Sequence, residues 1–254
     1  MNITLIQSSL EWEDAEANRK RFSSTIDSIS VDTDIIILPE MFSSGFTMNP
    51  SAVAETMDGE TVRWMKELSA KKNSAICGSV VIIDKGNFYN RFLFVKPSGE
   101  IQHYDKRHLF TLAGEDKVYS SGRDKLIVEY KGWRICPLVC YDLRFPVFSR
   151  NVENYDLLLY VANWPEPRVN AWDVLLKARA IENMAYVAGV NRVGKDDNGH
   201  NYLGHSQVVD CLGKNIVEPA VGEGVFTCTL DKNQMLETRQ KFGFLNDRDD
   251  FTVS

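Results

Sequence analysis

Residues 34–40 read Asp34-Ile35-Ile36-Ile37-Leu38-Pro39-Glu40, an unbroken apolar run closed by a proline and a carboxylate. A strand with one wet face alternates apolar and polar residues, so a run without alternation is expected where both faces are covered. Residues 156–162 carry the same signature, and both runs are too short for a buried helix. Between and around them, longer stretches have helical spacing, as at 13–29 and at 61–72, where Val62, Met65 and Leu68 fall on one face.

Hairpin signals fill the gaps. Residues 75–83 and 89–95 are joined by Asp84-Lys85-Gly86-Asn87, and 126–130 and 133–139 meet around Lys131-Gly132. Pro97-Ser98-Gly99 turns the chain into a strand at 101–104. A short helix is expected from Pro146, because proline suits a first helical position. A helix over 171–183, strands at 186–193, 206–210, 215–217 and 225–230, and a helix over 231–240 complete the pattern, after a first strand at 3–7. Strands alternating with helices and interrupted by hairpins imply a layered α/β sandwich with a mixed sheet. With no linker, repeat or low-complexity segment, the 254 residues read as a single domain.

Composition narrows the class. Hydrophobic residues make up 44% and charged residues 25%, ordinary values for a globular protein. The net charge of −6 and the short basic clusters, Lys71-Lys72 and Lys106-Arg107-His108, argue against nucleic acid as a partner. No apolar run reaches the ~20 residues that span a bilayer, and the N-terminus reads as a strand with no signal-peptide pattern. Five irregularly spaced cysteines suit a reducing compartment, so a cytoplasmic protein is expected.

Three residues stand where chemistry is expected. Cys140 ends the run Ile135-Cys136-Pro137-Leu138-Val139 and precedes the helix at Pro146. Unpaired N–H groups at such a junction favour a thiolate, although a buried core cysteine fits the position equally well. Glu40 ends its buried run, where a carboxylate needs a partner or a task, and ligands of α/β folds gather at such strand ends. Lys106 follows the strand at 101–104. An ammonium near a thiol lowers its pKa and can hold an oxyanion, while a carboxylate can take the thiol proton and return it to a departing amine.

These stretches resemble the nitrilase (carbon–nitrogen hydrolase) superfamily along essentially the whole chain. Leu38-Pro39-Glu40 resembles the family's glutamate motif, Tyr104-Asp105-Lys106-Arg107-His108-Leu109-Phe110 its lysine motif, and Val139-Cys140-Tyr141-Asp142-Leu143-Arg144-Phe145-Pro146 its cysteine motif, in the family's order and spacing. The resemblance implies an α/β fold of four layers, an αββα sandwich of the nitrilase type, spanning residues 1–254 as one carbon–nitrogen hydrolase domain. It implies no cofactor and no metal, and a homodimer whose C-terminal segments are exchanged. The aromatic tail Phe242-Gly243-Phe244-Leu245 could take part in that exchange or pack on its own subunit. Glu115 matches the family's second active-site glutamate.

Further stretches are similar to the omega-amidase branch: Ala162-Asn163-Trp164-Pro165, Ala178-Arg179-Ala180-Ile181-Glu182-Asn183, Asn191-Arg192-Val193-Gly194 and Tyr202-Leu203-Gly204-His205-Ser206. Met184 and Cys211 depart from that branch's usual glutamine and proline. The branch implies hydrolysis of the terminal amide of 2-oxo-dicarboxylic acid monoamides such as 2-oxoglutaramate and 2-oxosuccinamate, in some members linked to methionine salvage. Glu40 would act as base, with Lys106 and the Tyr141 N–H at the oxyanion. Arg144 could meet the substrate carboxylate or simply pair with Asp142 or a helix carboxylate, and Phe42, Phe46 and Trp164 could line the pocket. An N-carbamoyl-amide hydrolase would use the same three catalytic residues. A Cys–His hydrolase would use His103 or His108, and a silent binding module would keep only the fold. A metal site at Cys136 and Cys140 is excluded by the ~13 Å between backbones four residues apart on a strand.

Overall fold

The computed structural model describes residues 1–252. Its first half supplies β1 (Asn2–Gln7), α1 (Ala15–Ser28), β2 (Ile35–Ile37), α2 (Pro50–Val53), α3 (Glu60–Lys72), β3 (Ala75–Asp84), β4 (Asn87–Val95) and β5 (Ile101–Asp105). The second half continues with β6 (Val128–Tyr130), β7 (Trp133–Val139), α4 (Pro146–Ser149), β8 (Leu157–Ala162), α5 (Val169–Asn183) and β9 (Tyr186–Asn191). It ends with β10 (Val193–Lys195), β11 (Asn201–Leu203), β12 (Gln207–Val209), β13 (Asn215–Val217), β14 (Gly224–Thr229) and α6 (Lys232–Phe242).

The described strands form two six-stranded sheets, β14-β1-β2-β3-β4-β5 and β13-β12-β9-β8-β7-β6, with β10 and β11 as a separate hairpin. The run at 34–40 shows why they stack. Ile35 and Ile37 on one face of β2 join Ile3, Leu5, Phe92 and Phe94 in a core shared with Ile135, Leu157 and Leu159 of the second sheet. Ile36 and Leu38, on the other face, pack with Phe22 and Ile26 of α1 and Val62 and Met65 of α3. Trp172, Leu176 and Ala180 of α5 close the outer face of the second sheet. The layers are therefore α1 and α3, first sheet, second sheet, α5, which is the four-layer αββα sandwich of the resemblance. Each fully buried Ile or Leu contributes about 1.5–3 kcal/mol of transfer free energy, so one polar substitution in β2 would offset much of the stability margin.

Strand direction places the site. β1, β2 and β3 are parallel, and two antiparallel steps bring β5 back to the same direction as β2. In the second sheet β7 and β8 are parallel. The carboxyl ends of β2 and β5 thus share one edge of the first sheet, and those of β7 and β8 share one edge of the second. The strand expected at 186–193 breaks at Arg192. That buried side chain donates to the carbonyls of Leu10 and Val193 and lies over the Tyr202 ring at 4.7 Å, which turns the chain out of the sheet into the β10–β11 hairpin.

Candidate active site

Glu40 is presented by a turn pressed against β3. The Met41 N–H donates to Ser79 Oγ (2.8 Å), the Phe42 N–H to the Ser79 carbonyl (3.2 Å), and Met41 adopts a left-handed φ of 44°. A bulky residue accepts that conformation only where its surroundings hold it. The carboxylate of Glu40 is fully buried. Its Oε1 accepts from Lys106 Nζ (3.0 Å) and Asn90 Nδ2 (2.8 Å). Its Oε2 accepts from the Asn163 N–H (2.8 Å) and Asn163 Nδ2 (3.3 Å).

Lys106 leaves β5 with its N–H on the Asn90 carbonyl (3.0 Å), and its buried ammonium lies 3.0 and 2.9 Å from the two oxygens of Glu115. Burial by itself would lower the lysine pKa, but Glu115 and Glu40 more than reverse that and keep the ammonium charged. Glu115 is pushed above the usual carboxylate range by burial, with Glu40 adding to the push and Lys106 opposing it.

Cys140 closes the group from the other sheet. It sits at the end of β7 with φ 45° and opens a 3-10 turn, Cys140–Arg144. The side chain is partly exposed, with Sγ 4.0 Å from the Asn163 carbonyl. Its pKa is raised, first by burial and then by the Glu40 carboxylate, with Lys106 pulling the other way. Burial is the larger cause, and the Glu40 carboxylate adds to it because it would repel a thiolate. The helix field considered for the strand-to-helix junction is weak here: the turn at Cys140 is a single 3-10 segment, too short to offset burial and the Glu40 carboxylate.

Above this floor lies a cavity of about 290 Å³, lined by Lys106, Cys140, Tyr141, Asn163 and aromatic groups that include Phe46 and Trp164. Two guanidiniums face it. Arg144 rests over the Trp164 ring at 4.9 Å and Arg168 over Phe110 at 5.3 Å. The ion pairs among the described residues include neither of them. The β10–β11 hairpin also lines the cavity, and there Asp196 accepts from the Tyr202 hydroxyl (2.8 Å) and the His200 N–H (2.8 Å).

A family model described as "Carbon-nitrogen hydrolase" matches residues 2–240. The chain belongs to the carbon–nitrogen hydrolase family. It is 48% identical over 259 residues to the omega-amidase YafV of Yersinia enterocolitica, covering 100% of this chain and 98% of that protein. It is also 30% identical to the 2-oxoglutaramate amidase of Bacillus subtilis, with 96% of each chain covered. Among solved structures it is similar to a CN-hydrolase superfamily protein of Xanthomonas campestris with an arsenic adduct in the active site. The TM-score is 0.98 at 45% identity, covering 100% of this chain and 99% of that one.

For this carbon–nitrogen hydrolase, the structure brings Glu40, Lys106, Glu115 and Cys140 into one cluster and sets Tyr141, Arg144 and Trp164 on the cavity wall. Arg144 does not pair with Asp142, whose carboxylate is taken by Tyr104, His108 and the Val139 N–H. Phe42 is corrected: it is fully buried, with its ring 5.6 Å from Phe22 and 5.7 Å from Trp64, and belongs to the core beneath α1 and α3. The turn at Met41 reverses the alternation that would have aimed it into the cavity, and Phe46 lines the cavity instead. Asn90, Asn163 and Arg168 escaped the sequence reading of the site. For Asn90 a signal existed, a polar side chain inside an otherwise buried strand. Of the two histidines a Cys–His mechanism would need, His103 is exposed and His108 gives Nδ1 to Asp142 (2.8 Å) while stacked on Phe145 at 3.7 Å.

Proposed function

We propose that this chain is an omega-amidase that hydrolyses the terminal amide of short 2-oxo-dicarboxylic acid monoamides, with 2-oxoglutaramate and 2-oxosuccinamate as substrates. One observation carries the reading: a thiol beside a carboxylate–ammonium cluster shares a small cavity with two guanidiniums that lack a carboxylate partner among the described residues. The floor holds two carboxyl groups, so an anionic substrate must keep its own carboxylate away from Glu40 and Glu115. Arg144 and Arg168 line the cavity and offer it bidentate geometry. The amide end then reaches Cys140. The cavity volume, at the lower end of small-molecule sites (about 300–1,000 Å³), suits a short acyclic compound. The names carried by the Yersinia and Bacillus relatives support the same substrate class.

The geometry supports the following cycle. Glu40 takes the thiol proton as Cys140 Sγ bonds to the amide carbon, and the carbonyl oxygen gains charge against Lys106 Nζ and the Tyr141 N–H. The C–N bond breaks, the nitrogen leaves as ammonia with the proton held by Glu40, and a thioester remains. Glu40, with Glu115 tethering Lys106, then takes a proton from water as its oxygen attacks the thioester. The C–S bond breaks, the sulfur recovers a proton, and the oxo-dicarboxylate departs.

Residence in the cytoplasm and a homodimer belong to the same reading. No helix among the described residues is long and apolar enough to cross a membrane, and Val147, Val174 and Ile181 leave apolar side chains exposed near α4 and α5. The test is ammonia release from 2-oxoglutaramate and 2-oxosuccinamate beside glutamine, an N-carbamoyl amino acid and a simple nitrile. Fast release confined to the oxo-acid amides is expected. Release only from the N-carbamoyl compound or the nitrile would overturn the substrate class.

A further inference from the structure

Cys140 and Lys106 come from different sheets, so their separation depends on what registers one sheet against the other at this edge. Asp142, two residues after Cys140, is fully buried. Its Oδ2 accepts from the Val139 N–H (2.9 Å) and the Tyr104 hydroxyl (2.8 Å). Its Oδ1 accepts from the His108 N–H (3.0 Å) and from His108 Nδ1 (2.8 Å), which therefore carries the ring proton. One carboxylate thus grips the backbone just before the nucleophile and, across the sheets, the residues two before and two after Lys106.

We propose that Asp142 is a positioning residue: its carboxylate is the clip that fixes the Lys106 ammonium in register with Cys140 Sγ. The proposal rests on the thiol mechanism above. An ionised carboxylate is an acceptor only, with about four lone-pair sites, and four donors converge on this one. The Tyr104 hydroxyl ties the lysine segment further by accepting from the Arg107 N–H (3.0 Å). The His108 ring, stacked within 5° of parallel on Phe145, holds the same segment against the turn that carries Cys140. Asparagine has the same shape but would aim an N–H₂ at donors, and a main-chain N–H cannot rotate away to accept. The clip therefore opens while the volume is kept. A misplacement of ~1 Å between reacting groups lowers rates by about a hundredfold, so a partial shift has a measurable effect.

The test compares Asp142→Asn, Tyr104→Phe and the double variant, each per folded molecule. Asp142→Asn should lower kcat by about 30- to 100-fold and Tyr104→Phe by several-fold, with KM within about threefold of the parent. The double variant should be no slower than Asp142→Asn, because both changes break the same link. Parental kcat with only a lowered melting temperature, or effects that multiply, would overturn the proposal. Tyr104→Phe, which changes no charge, also carries a test that needs neither an amide nor the Asn variant. Iodoacetamide should alkylate its Cys140 about threefold or more slowly, since the ammonium that favours the thiolate is displaced. Unchanged or faster alkylation would overturn the clip. Slower alkylation in a protein that releases ammonia from no amide would leave the clip standing and remove the proposed function.

Discussion

Replacing Lys106 by methionine tests the charge logic of the site. The ammonium lies 3.0 Å from Glu40 and 2.9 Å from Glu115, and all three side chains are fully buried. Without it, two carboxylates remain in one dry space with Asn90 Nδ2, 2.8 Å from Glu40 and 3.4 Å from Glu115, as their shared donor. Two such carboxylates do not both ionise readily, so a proton is shared between them and Glu40 is less available as a base. Losing an oxyanion donor lowers kcat by roughly 10²–10³, and impairing the base by roughly 10²–10⁴. Because the groups act as a unit these do not simply multiply, and a combined loss of about 10⁴ is expected, or about 5.5 kcal/mol. KM should move only several-fold, because the carboxylate contacts proposed for Arg144 and Arg168 are left in place. Stability carries a second sign. A carboxylate whose folded pKa is raised, as Glu115's already is, stabilises below its unfolded pKa and loses that contribution as pH rises through the folded value. The deficit of Lys106→Met against the parent should therefore be larger at pH 8 than at pH 5. Ammonia-release kinetics and thermal melts at both values measure the two effects. A variant within tenfold of parental kcat would refute the reasoning.

Arg144→Met and Arg168→Met should each raise KM for 2-oxoglutaramate by about 10- to 100-fold, the usual range for a charge-assisted hydrogen bond, while a neutral short amide is affected far less. Equal effects on both amides would remove the arginines from carboxylate recognition. Gly78→Ala should destabilise by about 1–3 kcal/mol in urea unfolding, because the new Cβ would lie 2.9 Å from Phe42 Cδ1 and 3.0 Å from Leu38 Cβ. Because those residues flank Glu40, kcat should fall as well; unaltered stability and rate would mean that the turn is not packed as described.

The sequence was most legible where one local constraint dominates. Burial on both faces marks β2 by its isoleucines, and Trp133–Val139 coincides with β7 to the residue. Glu40 and Cys140 end such runs, Lys106 follows the mixed strand β5, and their motifs follow one another along the chain. What stayed hidden depends on contacts between the sheets. Asn163 orients Glu40 from 123 residues away, and Asp142 reaches Tyr104 across 38, so no local pattern distinguishes either from an ordinary polar residue at a strand end. Phe42 was misplaced because alternation holds along a strand and fails at a left-handed turn such as Met41. The surroundings of Cys140 were hidden for a related reason: the charges that act on the thiol come from Glu40 and Lys106, which the chain brings to it only through the fold.

The central claim is that Cys140 carries the acyl group, and intact-protein mass spectrometry of enzyme quenched during turnover of 2-oxoglutaramate tests it most directly. The expected result is a transient adduct with the mass of the substrate less ammonia, mapped to Cys140 and absent from an inactive Cys140→Ala protein. Turnover at the parental rate by Cys140→Ala, or an adduct on any other residue, would contradict the account.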